Sequence, residues 1–178
     1  ELLPNLQEDE FLLSAFTLLQ RYFELEDPKS FEPSELEAHV EIDLSETLLI
    51  HGYIDRLDIA PTGEIRIVDY KTGKSPSIGY EEKSFFQMKF YGLILWKKLG
   101  RVPKRLQMIF LGDGKVLTQD PSEDDLLKTQ LKIEKIAADI EYSKKSGEWP
   151  TRKSRLCDWC AHQKICPEFG GTPPSLQL

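Results

Sequence analysis

Apolar and polar positions follow two periods along this chain, and the changes of period mark out its elements. Phe11, Leu12, Ala15, Phe16, Leu19, Tyr22 and Phe23 recur at helical spacing, which predicts an amphipathic helix over roughly residues 8–25, with Asn5 and Glu8 spaced as a capping box. Pro28 ends it, and Pro28 to Pro33 reads as loop. The period then becomes two. Leu36, Ala38, Val40, Ile42 and Leu44 alternate with Glu37, His39, Glu41 and Asp43, a half-buried strand with a polar outer face. A turn near Ser45-Glu46 leads to a strand from about Leu48 to Ile59, and Pro61-Thr62-Gly63 turns into another over Ile65–Lys71. These three strands are expected to form an antiparallel meander.

After a loop over Thr72–Gly79, residues Glu81–Leu99 read as a helix that is apolar almost all round, as in one buried against a sheet, with Gly100 as its stop. Arg105–Leu111 and Val116–Gln119 are strand-like about the turn Gly112-Asp113-Gly114. Pro121-Ser122 opens a helix over about 122–145, with Leu126, Leu127, Ile133, Ile136, Ala137 and Ile140 expected to face inward. Its Lys128, Lys132 and Lys135 form one stripe, whose plain reading is a solvated face and whose alternative is a phosphate-contact face. This order of elements predicts an α/β (α+β) sandwich in which helices cover a central mixed sheet. Residues 1–150 are expected to form the core with its leading helix, 151–168 a cysteine-bearing segment and 169–178 a disordered tail.

Composition narrows the picture only a little. The 178 residues, 40% hydrophobic and 30% charged, describe an ordinary globular chain, and no apolar run is long enough to span a membrane. The net charge of −7 argues against coating nucleic acid by bulk charge but leaves room for a local basic groove. Three cysteines confined to Cys157–Cys166 do not suggest a secreted disulfide framework, so a reduced, cytoplasmic setting is expected. The chain opens at Glu1 without a Met and reads as a piece of something longer.

Candidate chemistry lies in the second hairpin. Strand alternation puts Tyr53, Asp55, Leu57 and Ile59 on one face, and Ile65, Ile67, Asp69 and Lys71 on one face of the next strand. Two carboxylates and a lysine then stand among apolar residues, where a charge without a partner costs several kcal/mol or shifts its pKa. They make sense around a divalent cation and a phosphate: Asp55 and Asp69 as hard oxygen ligands, Lys71 to orient water or stabilise phosphate charge. The bland alternative is three unrelated charges in salt bridges at strand ends.

The stretches Gly52-Tyr-Ile-Asp55-Arg56-Leu-Asp58, Val68-Asp69-Tyr70-Lys71-Thr72-Gly73 and Gln87-Met-Lys-Phe-Tyr91 resemble the GxxD, DYKTG and QxxxY motifs of the RecB-type branch of the PD-(D/E)XK nuclease superfamily, in the same order. The resemblance covers roughly Glu37 to Pro167. It implies a restriction-endonuclease-like core and Mg²⁺- or Mn²⁺-dependent cleavage of DNA, exonuclease-like, in recombination or repair, with a helicase or other repair protein as partner. Asp55, Asp69 and the Tyr70 backbone carbonyl would be metal ligands, Lys71 the catalytic lysine, and Gln87 and Tyr91 substrate-binding residues. The rival reading is a non-catalytic DNA-binding or scaffold module. Glu37 occupies the place of a frequent family glutamate but falls on the polar face, and neither His39 nor His51 sits in an upstream helix as the family's histidine does. Cys157-Asp-Trp-Cys160 with Cys166-Pro167 resembles the end of the iron–sulfur members, whose fourth cysteine lies upstream of the core. That implies a [4Fe–4S] cluster with a ligand outside this chain. Zinc with His162 as fourth ligand, and three free thiols, remain the alternatives.

Overall fold

The computed structural model describes residues 5–77 and 79–175. The chain divides into two compact units, one up to Lys135 and one from Ile136. The expected order of elements is present: α1 (Asn5–Leu25), β1 (Glu35–Ser45), β2 (Leu48–Ile59), β3 (Ile65–Lys71), α2 (Glu81–Leu99), β4 (Arg105–Phe110), β5 (Lys115–Gln119) and α3 (Glu123–Ser146). Capping at Asn5 lies outside the described side chains.

The five strands form one sheet in the order β1-β2-β3-β4-β5. β1, β2 and β3 pair antiparallel, as do β4 and β5, while β3 and β4 run parallel. Parallel neighbours need a crossover, and α2 supplies it. This is the α+β architecture of a mixed sheet with helices, consistent with a restriction-endonuclease-like core.

The sequence of α2 agrees with its position. Glu81 and Glu82 open it and Lys97 and Lys98 close it, matching the helix dipole. Gly100, at φ 70°, takes the left-handed conformation that ends it and donates its N–H to the Trp96 carbonyl at 2.8 Å. Met88, Leu93 and Ile94 are fully buried in one cluster with Ile54, Ile67, Leu106 and Met108 of the sheet. Leu126 and Ile133 of α3 join that cluster, and Gly92 lets the Leu126 side chain reach within 3.4 Å of where a Cβ would stand.

Three expectations about which side chains face inward need correction. Leu36 is 64% and Tyr53 58% exposed, because in this half of the β1–β2 ribbon the core takes Ala38, Val40, Ile50 and Ile54. Further along β2 the core takes Leu57, so the inward parity changes between Ile54 and Leu57. Glu37 lies opposite that change, between the pairs Leu36↔Arg56 and Ala38↔Ile54, with a left-handed φ of 49° that is uncommon outside glycine. On α3, only Leu126, Thr129 and Ile133 of the unit-one half are buried apolar or polar stripe positions, whereas Leu127, Ile136 and Ile140 are exposed.

α1 is tied down by its end. Arg21 donates to the Leu111 and Gly112 carbonyls at 2.9 and 2.6 Å, and Tyr22 stands edge-on to Tyr70 at 5.8 Å. Its apolar stripe is open: Phe11, Leu12, Phe16, Leu19 and Phe23 are each more than half exposed.

The unit from Ile136 carries the end of α3 and three short 3₁₀ turns, Arg155–Trp159, Gln163–Ile165 and Pro167–Phe169, in which no residue is buried. Gly170 and Gly171 donate back to the Pro167 and Cys166 carbonyls, and the described residues after them carry no regular element.

Candidate active site

Asp69 and Lys71 leave β3 on the α2 side, two residues apart, as strand alternation requires. Asp69 is 3% exposed. The Lys71 ammonium donates to its Oδ1 at 3.0 Å and lies 2.8 Å from Oδ2, where the angle is wrong for a hydrogen bond. Among the described residues Oδ2 is therefore a buried carboxylate oxygen with no hydrogen bond, held only by its ion pair with Lys71. Burial holds the Asp69 carboxyl above the usual range; Lys71 pulls it back, and the nearby Asp55 charge adds to the rise.

Asp55 reaches the same place from β2. Its Oδ2 accepts the backbone N–H of Tyr70 at 2.8 Å, just beyond the last Cα pair of β2 and β3, Arg56↔Val68. The carboxylate thus stands in for a ladder hydrogen bond and is fixed beside the Asp69–Tyr70 peptide.

The third motif joins from α2. Lys71 also donates to Gln87 Oε1 at 3.1 Å, and Gln87 Nε2 donates to the Tyr91 hydroxyl at 2.9 Å. Gln87 and Tyr91 share a helix face, so one chain of bonds runs Asp69–Lys71–Gln87–Tyr91. Gly52 explains itself at its end: a Cβ there would come within 2.7 Å of Tyr91 Cε1. The structure thus brings together Asp55, Asp69, the Tyr70 backbone, Lys71, Gln87 and Tyr91. Behind them, Gly112 abuts the Gly73 backbone, where a Cβ would lie 2.4 Å from the carbonyl carbon, and Asp113 accepts the Ser75 N–H and hydroxyl at 3.1 and 2.6 Å. The loop after Lys71 is pinned by these contacts.

The opposite face of β3 holds a network the motifs did not announce. Arg56 is 1% exposed, forks onto Glu26 at 3.0 and 3.1 Å, and donates to the Tyr70 hydroxyl. Tyr70 in turn donates to Glu26 at 2.7 Å. The guanidinium lies 4.3 Å over the Phe31 ring, and its Nε stands 3.3 Å from Asp58 Oδ1, outside hydrogen-bonding geometry. Burial works to lower the Arg56 pKa, but Glu26, Tyr70 and Asp58 outweigh it and hold it above its ordinary value. Burial first, then Glu26, holds the Tyr70 phenol well above its usual range, so it stays a donor. The available signal was Arg56 itself, a cation between Ile54 and Leu57 in a strand; the change of parity that sets it on the α1 face is not visible in the sequence.

Glu37 is exposed, as its place on the polar face implied, and His39 and His51 are exposed on the outer face of β1 and β2. Among the described residues no group of three or more His, Cys, Asp and Glu side chains stands together so as to hold a metal. Cys157, Cys160, Cys166 and His162 therefore do not assemble the expected ligand set here; the Cys157 thiol instead accepts the Ser154 N–H at 3.4 Å. The Asp55–Asp69 site has a different chemistry. Two carboxylates and one carbonyl suit a hard cation that keeps water or phosphate oxygens as its remaining ligands, and the Asp69 oxygen without a hydrogen bond fits that use.

A family model for the PD-(D/E)XK nuclease superfamily matches residues 4–167, and the chain belongs to that superfamily. No curated protein matches the chain. Among the described residues no helix is long and apolar enough to cross a membrane.

Proposed function

We propose that this chain is a metal-dependent deoxyribonuclease of the RecB-type branch, exonuclease-like, acting in DNA recombination or repair. The observation that carries the reading is the buried, half-satisfied Asp69 carboxylate, placed beside Asp55 and bonded to a lysine that α2 holds from the other side. Asp55, Asp69 and the Tyr70 carbonyl would hold Mg²⁺ or Mn²⁺. The bound cation would offset phosphate charge and lower the pKa of a water.

The chain's own groups do the rest. Asp55, fixed by the Tyr70 N–H through Oδ2, has no hydrogen bond to its other oxygen among the described residues. Lys71, with its side chain 36% exposed, reaches solvent at the mouth of the site, where its ammonium can orient the attacking water or meet charge developing on the phosphate. Gln87 sets the direction of that ammonium and Tyr91, itself buried, sets Gln87, so the two would act on the substrate through the lysine they position. The cysteine segment supplies none of the residues named in this site. Its three thiols would have to be drawn together, with a fourth ligand from outside the chain, before they could share a [4Fe–4S] cluster.

The test is cleavage of end-labelled single- and double-stranded DNA with Mg²⁺ or Mn²⁺, with Asp69→Ala as control. Cutting by the wild type alone supports the reading, and the product ladder gives the polarity. Binding of DNA without cutting, unchanged in the Asp69→Ala protein, would replace it with a binding or scaffold module.

A further inference from the structure

The lysine stripe of α3 does not face open solvent alone. Lys128 and Lys132 line a groove of about 230 Å³ with Lys83, Phe86 and Lys89 of α2. Two of these four ammonium groups are committed to acids, Lys89 to Glu82 at 2.5 Å and Lys128 to Asp124 at 2.6 Å. The other two, among the described residues, rest on aromatic rings: Lys132 lies 4.2 Å over Phe86 and Lys83 5.3 Å over Tyr80. Such exposed contacts are worth only about 0.5–1 kcal/mol, so both ammonium groups can turn to a stronger partner. Two acids line the groove with these four lysines: Glu82, which holds Lys89, and Asp125, which is occupied by the Ser122 N–H and hydroxyl at 3.0 and 2.6 Å. In a chain of net charge −7, this is a local concentration of cations.

Its position connects it to the site. Lys83 precedes Gln87 by four residues, one helical turn, and Gln87 is the residue bonded to Lys71. A line from Asp69 through Lys71 and Gln87 therefore arrives at Lys83 and then at the groove.

We infer that the α2–α3 groove holds the sugar–phosphate backbone of a nucleic-acid strand on one side of the scissile phosphate, with Lys83 and Lys132 as its principal contacts. This rests on the nuclease reading and extends it from the reacting phosphate to the strand that carries it. Lysines meeting phosphates position a strand without reading its bases, so the contact is independent of sequence.

Fluorescence anisotropy of a labelled single-stranded oligonucleotide, with EDTA present to prevent cleavage, measures affinity against salt. The Lys83→Gln/Lys132→Gln variant removes two phosphate contacts, so the slope of log Kd against log salt should fall by about 1.4 and affinity at 0.1 M salt should drop about tenfold or more. A Lys97→Gln/Lys98→Gln variant makes the same change of charge at the other end of α2 and should keep the wild-type slope; equal thermal midpoints exclude unfolding. An unchanged slope in the groove variant, or an equal loss in the control, overturns the groove while leaving the nuclease reading intact. Absence of any binding by the wild type at low salt also overturns the groove, and the cleavage assay with Mg²⁺ or Mn²⁺ decides the nuclease reading separately.

Discussion

Charge sits on both faces of β3, and the two faces handle it differently. On the α2 side, Asp69 is buried with one oxygen unsatisfied, and its lysine is shared with Gln87 and reaches solvent. On the α1 side, Arg56 is more deeply enclosed yet better partnered, with a bidentate carboxylate, a phenol and an aromatic ring around it. A buried polar group left unpaired costs about 1–3 kcal/mol, so a half-satisfied face makes sense where a ligand completes it. The Arg56 face also leaves Arg56 Nε and Asp58 Oδ1 without a hydrogen bond, but these two buried atoms face each other as an ion pair at 3.3 Å, so that face serves to hold. Tyr70 belongs to both: its ring is clamped behind the sheet by Glu26, while its N–H fixes Asp55 in front. The back network thereby positions the strand that carries the proposed chemistry, from a residue just after α1.

Substitutions can break this division of labour, and the largest effect is expected in front. Asp69→Ala should reduce cleavage about a thousandfold or more, because it removes a proposed metal ligand. Its thermal stability should stay within about 1 kcal/mol of wild type, since the lost group was only half satisfied. A large fall in melting temperature would assign Asp69 to structure instead. Behind the strand the pattern should invert. Arg56→Ala leaves Glu26 as an enclosed carboxylate without its cation, while Asp58 keeps Arg66, and denaturant titration should show a loss of about 3–5 kcal/mol.

Lys71→Met comes next. Single-turnover kinetics should show a rate lower by about 10²–10³-fold, with metal affinity spared. Stability should change by less than about 1 kcal/mol, because the Lys71–Asp69 pair is partly open to water on the lysine side. Cleavage at the wild-type rate would remove the lysine from the mechanism. The smallest effect belongs to Tyr70→Phe, which deletes one hydroxyl while Arg56 keeps its fork onto Glu26. It should cost about 1–2 kcal/mol and leave the rate within a few-fold. A rate loss matching that of Lys71→Met would mean that the two faces are not separable.

Local pattern alone determined much of this protein: the order of the elements, the hairpin over Ile59–Ile65, the stop at Gly100, and the shared faces of Asp69 with Lys71 and of Gln87 with Tyr91. These follow from periods of two and 3.6 residues and from turn chemistry, which act over a few residues and leave their mark on composition. Tertiary structure decided what depends on partners far along the chain. The inward parity of β2 changes between Ile54 and Leu57, which exposes Tyr53 and buries Arg56; the alternation Tyr53, Asp55, Leu57 carries no sign of it. The stripe of α1 looks like a core face but is mostly open, because Arg21 and Glu26 at and just beyond its end make the attachments. The lysines of α3 are exposed, as their stripe implied, and only tertiary structure sets Lys83 and Phe86 of α2 beside Lys128 and Lys132. A residue's sequence states what it can bond to, and only the packing of distant elements states which of those bonds it makes.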